Sequence, residues 1–304
     1  MKLLGRAVPF LVAFGALVDQ SAFAQTSTFE PTSTHDSSSK QSKILTAGDS
    51  GSSGPRFYEN LYAGAKMSFT RWDLASLATL AFLDHQKPAQ GLRLAPFEMD
   101  QEISESLART DGKKSLGAVS PLYYPGVTAT WRFSGMILAD AVGLHDYSAA
   151  SYGRMFRFHQ ALYYTKVVTH LAKRNIQRYR PDNSDTYSFF SGHTSTAFAT
   201  STFLYLEAND FIDGLAQRRD GRLPLLSPTG WKRVSFGVLY GWASYVGYSR
   251  IHDKKHYLSD VIVGAASGTL VSYLVYPRQS QGDKLQMGIQ PMRGGLAMGV
   301  GIKF

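Results

Sequence analysis

Two histidines in this 304-residue sequence have neighbours that suit nucleophilic attack and proton transfer. Asp260 follows His256 by four residues, and on a helix that spacing puts both side chains on one face. A carboxylate bonded to one ring nitrogen fixes the tautomer and leaves the other nitrogen free to act as a nucleophile. His193 follows Ser191-Gly192 and precedes an apolar stretch, so we expect it at a helix start, from which it could donate a proton.

Three cations accompany these histidines. Lys173 lies seven residues before Arg180, nearly two helical turns, so we expect both cations on one face of a helix that ends before Pro181. Arg250 precedes His256 across a short loop, and its guanidinium fork suits phosphate oxygens. Such cations repel one another unless an anion lies between them. Taken alone, the first cluster is more typical of a solvated basic surface, formed by Lys173, Arg174, Arg178 and Arg180.

The Ser191-Gly192 step offers a second kind of anion donor. The first backbone N–H groups of a helix have no partner within the helix, and together with the helix dipole they form an anion site. By itself the step would indicate only a helix cap. The combination of two histidines, three cations and a helix start favours a site that transfers a tetrahedral phosphoryl group.

The order and spacing of these residues resemble the type 2 phosphatidic acid phosphatase (PAP2) superfamily, which also contains bacterial acid phosphatases and vanadium haloperoxidases. Three motifs carry the resemblance: Lys173 with six residues before Arg180-Pro181, then Ser191-Gly192-His193, then Ser249-Arg250 with five residues before His256 and three more before Asp260. The resemblance extends over roughly residues 57–276. The family usually has proline where this chain has Phe190, and we expect the substitution to shift the turn slightly and to preserve the chemistry.

The resemblance implies a role for each matched residue. His256 would attack phosphorus and become phosphohistidine while Asp260 holds its ring, and His193 would protonate the leaving oxygen and then activate water. The non-bridging oxygens would be held by Lys173, Arg180, Arg250 and the backbone N–H groups of Ser191 and Gly192. No metal and no cofactor is expected, and vanadate is expected to inhibit.

The expected partner is a phosphate ester. A lipid phosphate or diphosphate presented at a membrane face is slightly favoured over a soluble phosphomonoester. The net charge of +9 attracts anions of every kind, but three cations are assigned to the phosphoryl site, and no nucleic-acid partner is expected. Two alternative functions stay open, a vanadate-dependent haloperoxidase and a non-catalytic phosphate-binding envelope protein.

The N-terminal residues indicate export to a periplasm. Lys2 and Arg6 precede a short apolar run, and Ala22-Phe23-Ala24 matches a cleavage site, so residues 1–24 are predicted to be a signal peptide. Residues 25–56, rich in serine and threonine, are predicted to be a flexible leader. The absence of cysteine excludes a disulfide scaffold, a thiolate metal site and a cysteine nucleophile.

Residues 57–278 are predicted to fold as an all-α helical bundle of the PAP2/haloperoxidase type. Apolar residues recur at helical spacing in seven stretches: 73–85, 97–109, 130–144, 148–179, 195–208, 231–248 and 257–276. The second stretch is polar enough for a surface helix, and the last three are expected to be nearly dry on all sides. Residues 209–230 are predicted to be a polar insert.

The same stretches are interpreted as core helices of a soluble bundle. A membrane span needs about 20 predominantly apolar residues, and charged residues interrupt these segments. The mean hydropathy of −0.17 is also low for a protein with several spans. Residues 279–304 are predicted to form a small C-terminal β-hairpin, because residues 285–304 alternate apolar residues with glycine and polar ones.

Overall fold

The computed structural model describes residues 57–85, 91–109, 113, 115–118, 120–277, 285–292 and 295–302. The predicted signal peptide (1–24) and the predicted leader (25–56) lie outside these ranges. Both therefore stay predictions.

Helices dominate the described part of the chain, and this confirms the all-α prediction. In chain order they are α1 Phe57–Ser68, α2 Arg71–His85, α3 Glu98–Ser106, α4 Ser120–Thr130, α5 Met136–Ala141, α6 Ala149–Asn175, α7 Gly192–Arg218, α8 Pro228–His252 and α9 Leu258–Val275. A 3-10 turn, Leu116–Ala118, precedes α4, and a π-helical turn, Trp131–Gly135, joins α4 to α5. Every stretch predicted to be helical contains a helix.

The strands form two small ribbons. β1 (Leu92–Arg93) and β2 (Ile176–Gln177) pair in parallel, so the chain that leaves α6 continues in extended form. β3 (Leu285–Met292) and β4 (Gly295–Ile302) pair antiparallel, which confirms the predicted C-terminal hairpin.

Helices α7 and α9 approach each other backbone to backbone. A Cβ atom on Gly268 would lie 2.0 Å from the carbonyl oxygen of Ser195, and one on Gly264 would lie 2.8 Å from that of Ser191. Both distances are far below van der Waals contact, so only glycine allows this approach. Beyond these glycines the interface is aromatic, because the Phe203 ring packs edge-on against Tyr276 with 5.0 Å between centroids.

Buried hydroxyl groups join α7 to its neighbours. The Ser201 hydroxyl donates to the Leu239 carbonyl of α8 at 2.8 Å, and the Ser272 hydroxyl of α9 donates to the Ala199 carbonyl at 2.7 Å. Each bond satisfies a buried polar group while it ties two helices together. A helix rich in serine and threonine can therefore serve as the centre of this bundle.

A buried ion pair ties the turn after α4 to the second half of α7. Arg132 and Glu207 form two hydrogen bonds, one of them 2.7 Å between Nη2 and Oε1, and both side chains are almost fully buried. Glu207 lies about four helical turns beyond His193 on α7. The pair is thus a structural contact remote from the residues assigned to chemistry.

The prediction that helix gives way to a polar insert at residue 209 is wrong for the first ten residues of that insert. Helix α7 continues to Arg218, and two of its acidic residues in this range have partners. Asp210 accepts a hydrogen bond from the Tyr276 hydroxyl, Asp213 pairs with Lys232, and Ile212 is buried. Polar composition misled the prediction because these side chains are satisfied by neighbouring helices.

The expectation that the apolar helices are dry on all sides is also wrong. On α9 the side chains of Ile262, Leu270 and Tyr273 are about half exposed. Within the described ranges, α9 is the one helix whose length and composition would allow it to cross a membrane. Its outward face is therefore an apolar surface and not part of the core.

We expect Gly268→Ala to destabilise the protein by about 1–3 kcal/mol, because the new methyl group must push α9 away from the Ser195 carbonyl. Gly241→Ala is the matched control: Gly241 is also inside a helix, but nothing lies within 4 Å of its Cβ position. There alanine should be neutral or stabilising by up to about 1 kcal/mol. Urea unfolding of both variants measures the difference, and equal effects would contradict this account of the packing.

Candidate active site

The three motifs meet where four helices begin or end. Lys173 lies in the last turn of α6 and Arg250 in the last turn of α8, while His193 lies in the first turn of α7. His256 lies in the loop just before α9, and Asp260 lies in the first turn of that helix. The positive dipole ends of α7 and α9 therefore lie here, together with the negative dipole ends of α6 and α8.

The orientation of the His256 ring is fixed by a backbone carbonyl. Its Nδ1 atom lies 2.7 Å from the carbonyl oxygen of Ser188, and the side chain is almost fully buried. A carbonyl oxygen can only accept a hydrogen bond, so Nδ1 carries the proton and the neutral ring presents a free electron pair at Nε2. Nε2 is therefore the atom available for nucleophilic attack.

Asp260 lies behind the ring, and its partners differ from those expected. Its Oδ2 atom is 3.8 Å from Nδ1 of His256, too far for a direct hydrogen bond. Instead Asp260 accepts hydrogen bonds from Arg178 at 2.6 Å, from the Ser188 hydroxyl at 2.5 Å and from the Tyr257 N–H at 3.0 Å. Burial favours a raised pKa for Asp260, but His256, Ser188 and Arg178 outweigh it and lower the pKa, so the group stays ionised.

His193 is also held by a carbonyl, through its other ring nitrogen. Nε2 lies 2.9 Å from the carbonyl oxygen of Ala118, in the 3-10 turn before α4. By the same argument Nε2 carries the proton, and Nδ1 is the atom that can exchange a proton with a substrate. The two histidines therefore present opposite ring nitrogens to the site.

The surroundings keep both histidines neutral. Burial is the main cause that lowers the pKa of His256 to about 4; Asp260 opposes this effect, while Lys173 and Arg180 add to it. Burial and then Arg250 lower the pKa of His193, also to about 4. The proposed nucleophile therefore stays in its reactive form even in weak acid.

Lys173 is packed into the site. Its Nζ donates to the Tyr187 carbonyl at 2.5 Å, and a Cβ atom on Gly192 would lie 3.9 Å from its Cε. Burial first, and then repulsion by Arg180 and Arg250, lowers the pKa of this ammonium group to about 8. The electrostatic influence of both arginines shows that the three predicted cations share one site.

Arg180 reaches that site by a route other than the predicted one. Helix α6 ends at Asn175, and the chain then runs in extended form through β2, so the two cations are not on one helical face. The extended segment folds back, with the Arg180 N–H bonded to the Asp185 carbonyl at 3.0 Å. The side chain of Arg180 also pairs with the Asp185 carboxylate at 2.7 Å.

Arg250 is the most buried of the three cations. Its Nη1 lies 3.4 Å from the Asp253 carboxylate, and the side chain is about 6% exposed. Burial is the main cause that lowers the pKa of this guanidinium, with Asp253 opposing and Arg180 adding to it. This buried charge has a single distant carboxylate partner, which leaves capacity to bind an anion.

Ser191 has a different role from the predicted phosphate contact. Its backbone N–H donates to the carbonyl oxygen of Asp260 at 3.1 Å, and its hydroxyl accepts from the N–H of Thr194 at 3.4 Å as a helix cap. The amide donors left for an anion therefore begin with Gly192, the first residue of α7. Phe190, which stands where the family usually has proline, is buried, and its peptide bond with Phe189 is cis.

Two charged residues that the sequence interpretation missed lie directly behind the site. Arg178, assigned above to a solvated surface, is 1% exposed, and its Nη2 bonds Asp100 at 2.6 Å. Asp100, also 1% exposed, belongs to α3, which was predicted to be a surface helix. Arg178 is therefore not a surface residue. Helix α3 is exposed along most of its length, as predicted, but its Asp100 is buried, because each of the two residues supplies the counter-charge that allows the other to be buried. The roles of the Ala118 and Ser188 carbonyl groups could not be predicted from the sequence, because every residue has a carbonyl group.

A cavity of about 380 Å³ lies along α8, beside Arg250. Within it Tyr248 stacks on His252 with 5.5 Å between ring centroids. The wall thus combines aromatic rings, hydroxyl groups and basic side chains, and its lining residues are Arg109, Ser115, Leu116, Tyr245, Tyr248, Ser249 and His252.

Residues 156–282 match the model of the PAP2 superfamily, which confirms the resemblance predicted from the three motifs. The matched segment contains all eight residues predicted to form the site.

Proteins similar to this chain include the following two relatives and one solved structure. The lipid A 1-phosphatase of Porphyromonas gingivalis is 29% identical over 208 residues, which is 64% of this chain and 38% of the relative. Phospholipid phosphatase 2 of Rattus norvegicus is 40% identical over 87 residues, 29% of this chain and 28% of the relative. The chain thus aligns with well under half of the length of either. A transmembrane PAP2-type phosphatidylglycerolphosphate phosphatase from Bacillus subtilis is 18% identical with a TM-score of 0.38, over 68% of this chain and 94% of that structure.

The two neutral histidines predict how stability depends on pH. Their pKa values are about 4 in the folded protein against an ordinary 6.5, so the unfolded chain binds the protons first and stability is lost as pH falls from about 6.5 towards 4. His256→Asn keeps an N–H donor for the Ser188 carbonyl and removes one titration. In urea unfolding at a series of pH values, its stability should fall less steeply, by about 1.4 kcal/mol per pH unit.

His85→Asn is the control for this measurement, because His85 is exposed at the end of α2. It should leave the slope unchanged. A slope for His256→Asn equal to that of the unsubstituted protein would show that His256 is not held neutral.

Proposed function

We propose that this chain, whose residues 156–282 belong to the PAP2 superfamily, is a phosphatase that hydrolyses lipid phosphates through a phosphohistidine intermediate. One observation carries the proposal: a buried histidine, His256, and a partly buried one, His193, each have one ring nitrogen bonded to a backbone carbonyl and the other free, in a site that also holds three cations. Such a pair can divide the roles of nucleophile and acid between two fixed atoms.

In the first step Nε2 of His256 attacks phosphorus, so that an N–P bond forms as the bond to the leaving oxygen breaks. The proton stays on Nδ1, which continues to donate to the Ser188 carbonyl. The positive charge that develops on the ring faces the Asp260 carboxylate, 3.8 Å from Nδ1. The leaving oxygen receives its proton from Nδ1 of His193. In the second step Nδ1 of His193 takes a proton from water, which attacks phosphorus and breaks the N–P bond.

His193 must be protonated to act as the acid, although its pKa in the empty site is about 4. The charges that lower this pKa are mainly Arg250 and, less strongly, Lys173 and Arg180. A phosphate dianion bound among these cations offsets their field and raises the pKa of His193. The substrate thus supplies the charge that prepares its own acid catalyst.

The three cations and the amide groups at the start of α7 stabilise the transferring group. Negative charge on its non-bridging oxygens is met by Lys173, Arg180, Arg250 and the N–H of Gly192. We therefore propose a reaction without a metal ion, in which vanadate inhibits by occupying the same anion site.

A lipid phosphate is the favoured substrate class. The relatives named above are lipid phosphatases, and the outward face of α9 is apolar, with Leu270 and Tyr273 about half exposed. Such a face favours contact with acyl chains at a membrane surface. The signal-peptide pattern of residues 1–24 supports a periplasmic location for this contact.

We expect His256→Ala to abolish phosphatase turnover, by at least about 10³-fold in kcat, because no other side chain replaces the nucleophile. His85→Ala should retain full activity. Turnover of p-nitrophenyl phosphate and of phosphatidic acid in detergent, together with circular dichroism, measures both activity and fold. Retained turnover in folded His256→Ala protein would contradict the proposal.

Membrane presentation has a separate test. We expect Leu270→Glu to lower the hydrolysis of phosphatidic acid in anionic vesicles by about tenfold, because the added charge opposes insertion of the α9 face. Hydrolysis of p-nitrophenyl phosphate should not change, since residue 270 lies far along α9 from Asp260. An equal loss on both substrates would indicate damage to the fold instead.

The alternative functions predict other outcomes with the same protein. A haloperoxidase would brominate a dye in the presence of vanadate, bromide and peroxide. A non-catalytic phosphate-binding protein would bind phosphate without turnover of either ester. The phosphatase proposal requires hydrolysis that vanadate blocks and no peroxide-dependent bromination.

A further inference from the structure

We propose that Arg178 is a positioning residue for His256, which it holds in its reactive orientation through Asp260 and the Ser188 carbonyl. The consequence for catalysis rests on the phosphatase function proposed above. The positioning itself concerns the ring of His256 and can be measured without any substrate.

The guanidinium group of Arg178 bridges two helices. Nη1 donates to Asp260 of α9 at 2.6 Å and to the Ser259 hydroxyl at 2.7 Å, while Nη2 donates to Asp100 of α3 at 2.6 Å. The Tyr257 ring covers the guanidinium, whose central carbon is 4.6 Å from the ring centroid. Since the whole side chain is buried, these bonds are not exchanged with water.

The backbone of the same residue fixes the second acceptor that faces the histidine ring. The Ser188 N–H donates to the Arg178 carbonyl at 3.1 Å, and the Arg178 N–H donates to the Thr186 carbonyl at 2.9 Å. Ser188 is thereby anchored at the point where its own carbonyl accepts from His256. Its hydroxyl also donates to Asp260 at 2.5 Å, which closes a ring of contacts around the carboxylate.

These contacts decide which acceptor His256 uses. Because Arg178 and Ser188 hold its two oxygens, Asp260 stays 3.8 Å from Nδ1 of His256. The Nδ1–H therefore donates to the Ser188 carbonyl and not to the carboxylate. Without Arg178 the carboxylate loses its strongest donor and can turn towards the ring. A direct carboxylate bond would raise the pKa of the ring, so that in weak acid a larger fraction of it is protonated and cannot attack phosphorus.

The charge around His256 gives Arg178 a second influence on the ring. The charged and titratable groups that face His256 come from the helices and loops packed around it: Asp260 from α9, Lys173 from α6, Arg180 from the segment after β2, Arg250 from α8 and His193 from α7. Asp260 is the one anion among them, and Arg178 partly neutralises it. Loss of Arg178 thus exposes His256 to more of that negative charge.

Removal of Arg178 alone would leave Asp100 and Asp260 buried without a counter-charge, and such a variant can fail to fold. The double variant Arg178→Gln/Asp100→Asn removes one charge of each sign and keeps the net charge of the cluster. Arg178→Lys keeps the positive charge but cannot bond Asp100 and Asp260 with the same forked geometry. Arg132→Gln/Glu207→Gln is the matched control, because it removes a buried arginine–carboxylate pair remote from the site.

The measurement is the titration of the His256 ring, followed by NMR in protein labelled with ¹⁵N-histidine. We expect its pKa, about 4 in the unsubstituted protein, to rise by at least about one unit in the double variant, and by less in Arg178→Lys. The acid limb of kcat/KM against pH should move by the same amount, a loss of about tenfold on the acid side of the profile. The control should show neither change, whatever its effect on thermal stability.

If the double variant folds and its His256 ring titrates as in the unsubstituted protein, the proposal is overturned. If the double variant does not fold, Arg178→Lys decides in the same way, because its ring should still titrate above that of the unsubstituted protein. The failure of the phosphatase function looks different: the unsubstituted protein would then lack turnover, while the ring titration would still separate the variants.

Discussion

Helices α7 and α9 touch backbone to backbone where Gly264 and Gly268 of α9 meet the first turns of α7. This contact places the two helix starts side by side, and the Ser191 N–H can then donate to the Asp260 carbonyl. This junction sets the relative positions of the site residues, because α7 carries His193 and α9 carries Asp260, which lies behind His256. A side chain at either glycine would separate the helix that carries the proposed acid from the helix that supports the proposed nucleophile.

Around this junction the fold concentrates positive charge that has no full counter-charge. Burial is the main cause that lowers the pKa values of Lys173 and Arg250; Arg180 lowers both further, and Arg250 also lowers that of Lys173. The nearby carboxylates Asp185 and Asp253 pair with Arg180 and Arg250 at the edge of the site. Because these pairs are partly solvated or long, a phosphate dianion can compete with them. The anion thus relieves a repulsion that folding alone leaves in place.

The sequence was sufficient to predict the helical class and the grouping of the proposed catalytic residues, because motif order and helical periodicity are both local signals. It did not predict how Arg180 reaches the site, since α6 ends at Asn175 and the pairing of β1 with β2 is a contact between distant residues. The carbonyl groups that fix His193 and His256 were equally hidden. Backbone acceptors carry no residue type, and a tertiary fold alone brings them to a ring nitrogen.

Arg178 and Arg180 show why residue type alone could not separate their roles. In an extended segment alternate residues point the same way, so both arginines turn inward while Tyr179 between them is 64% exposed. Arg178 meets two buried carboxylates that water cannot reach, and its bonds are permanent. Arg180 meets Asp185, which is 37% exposed, and it can exchange this partner for a substrate oxygen. Whether a cation supports the site or binds the substrate therefore depends on whether its counter-charge can be replaced.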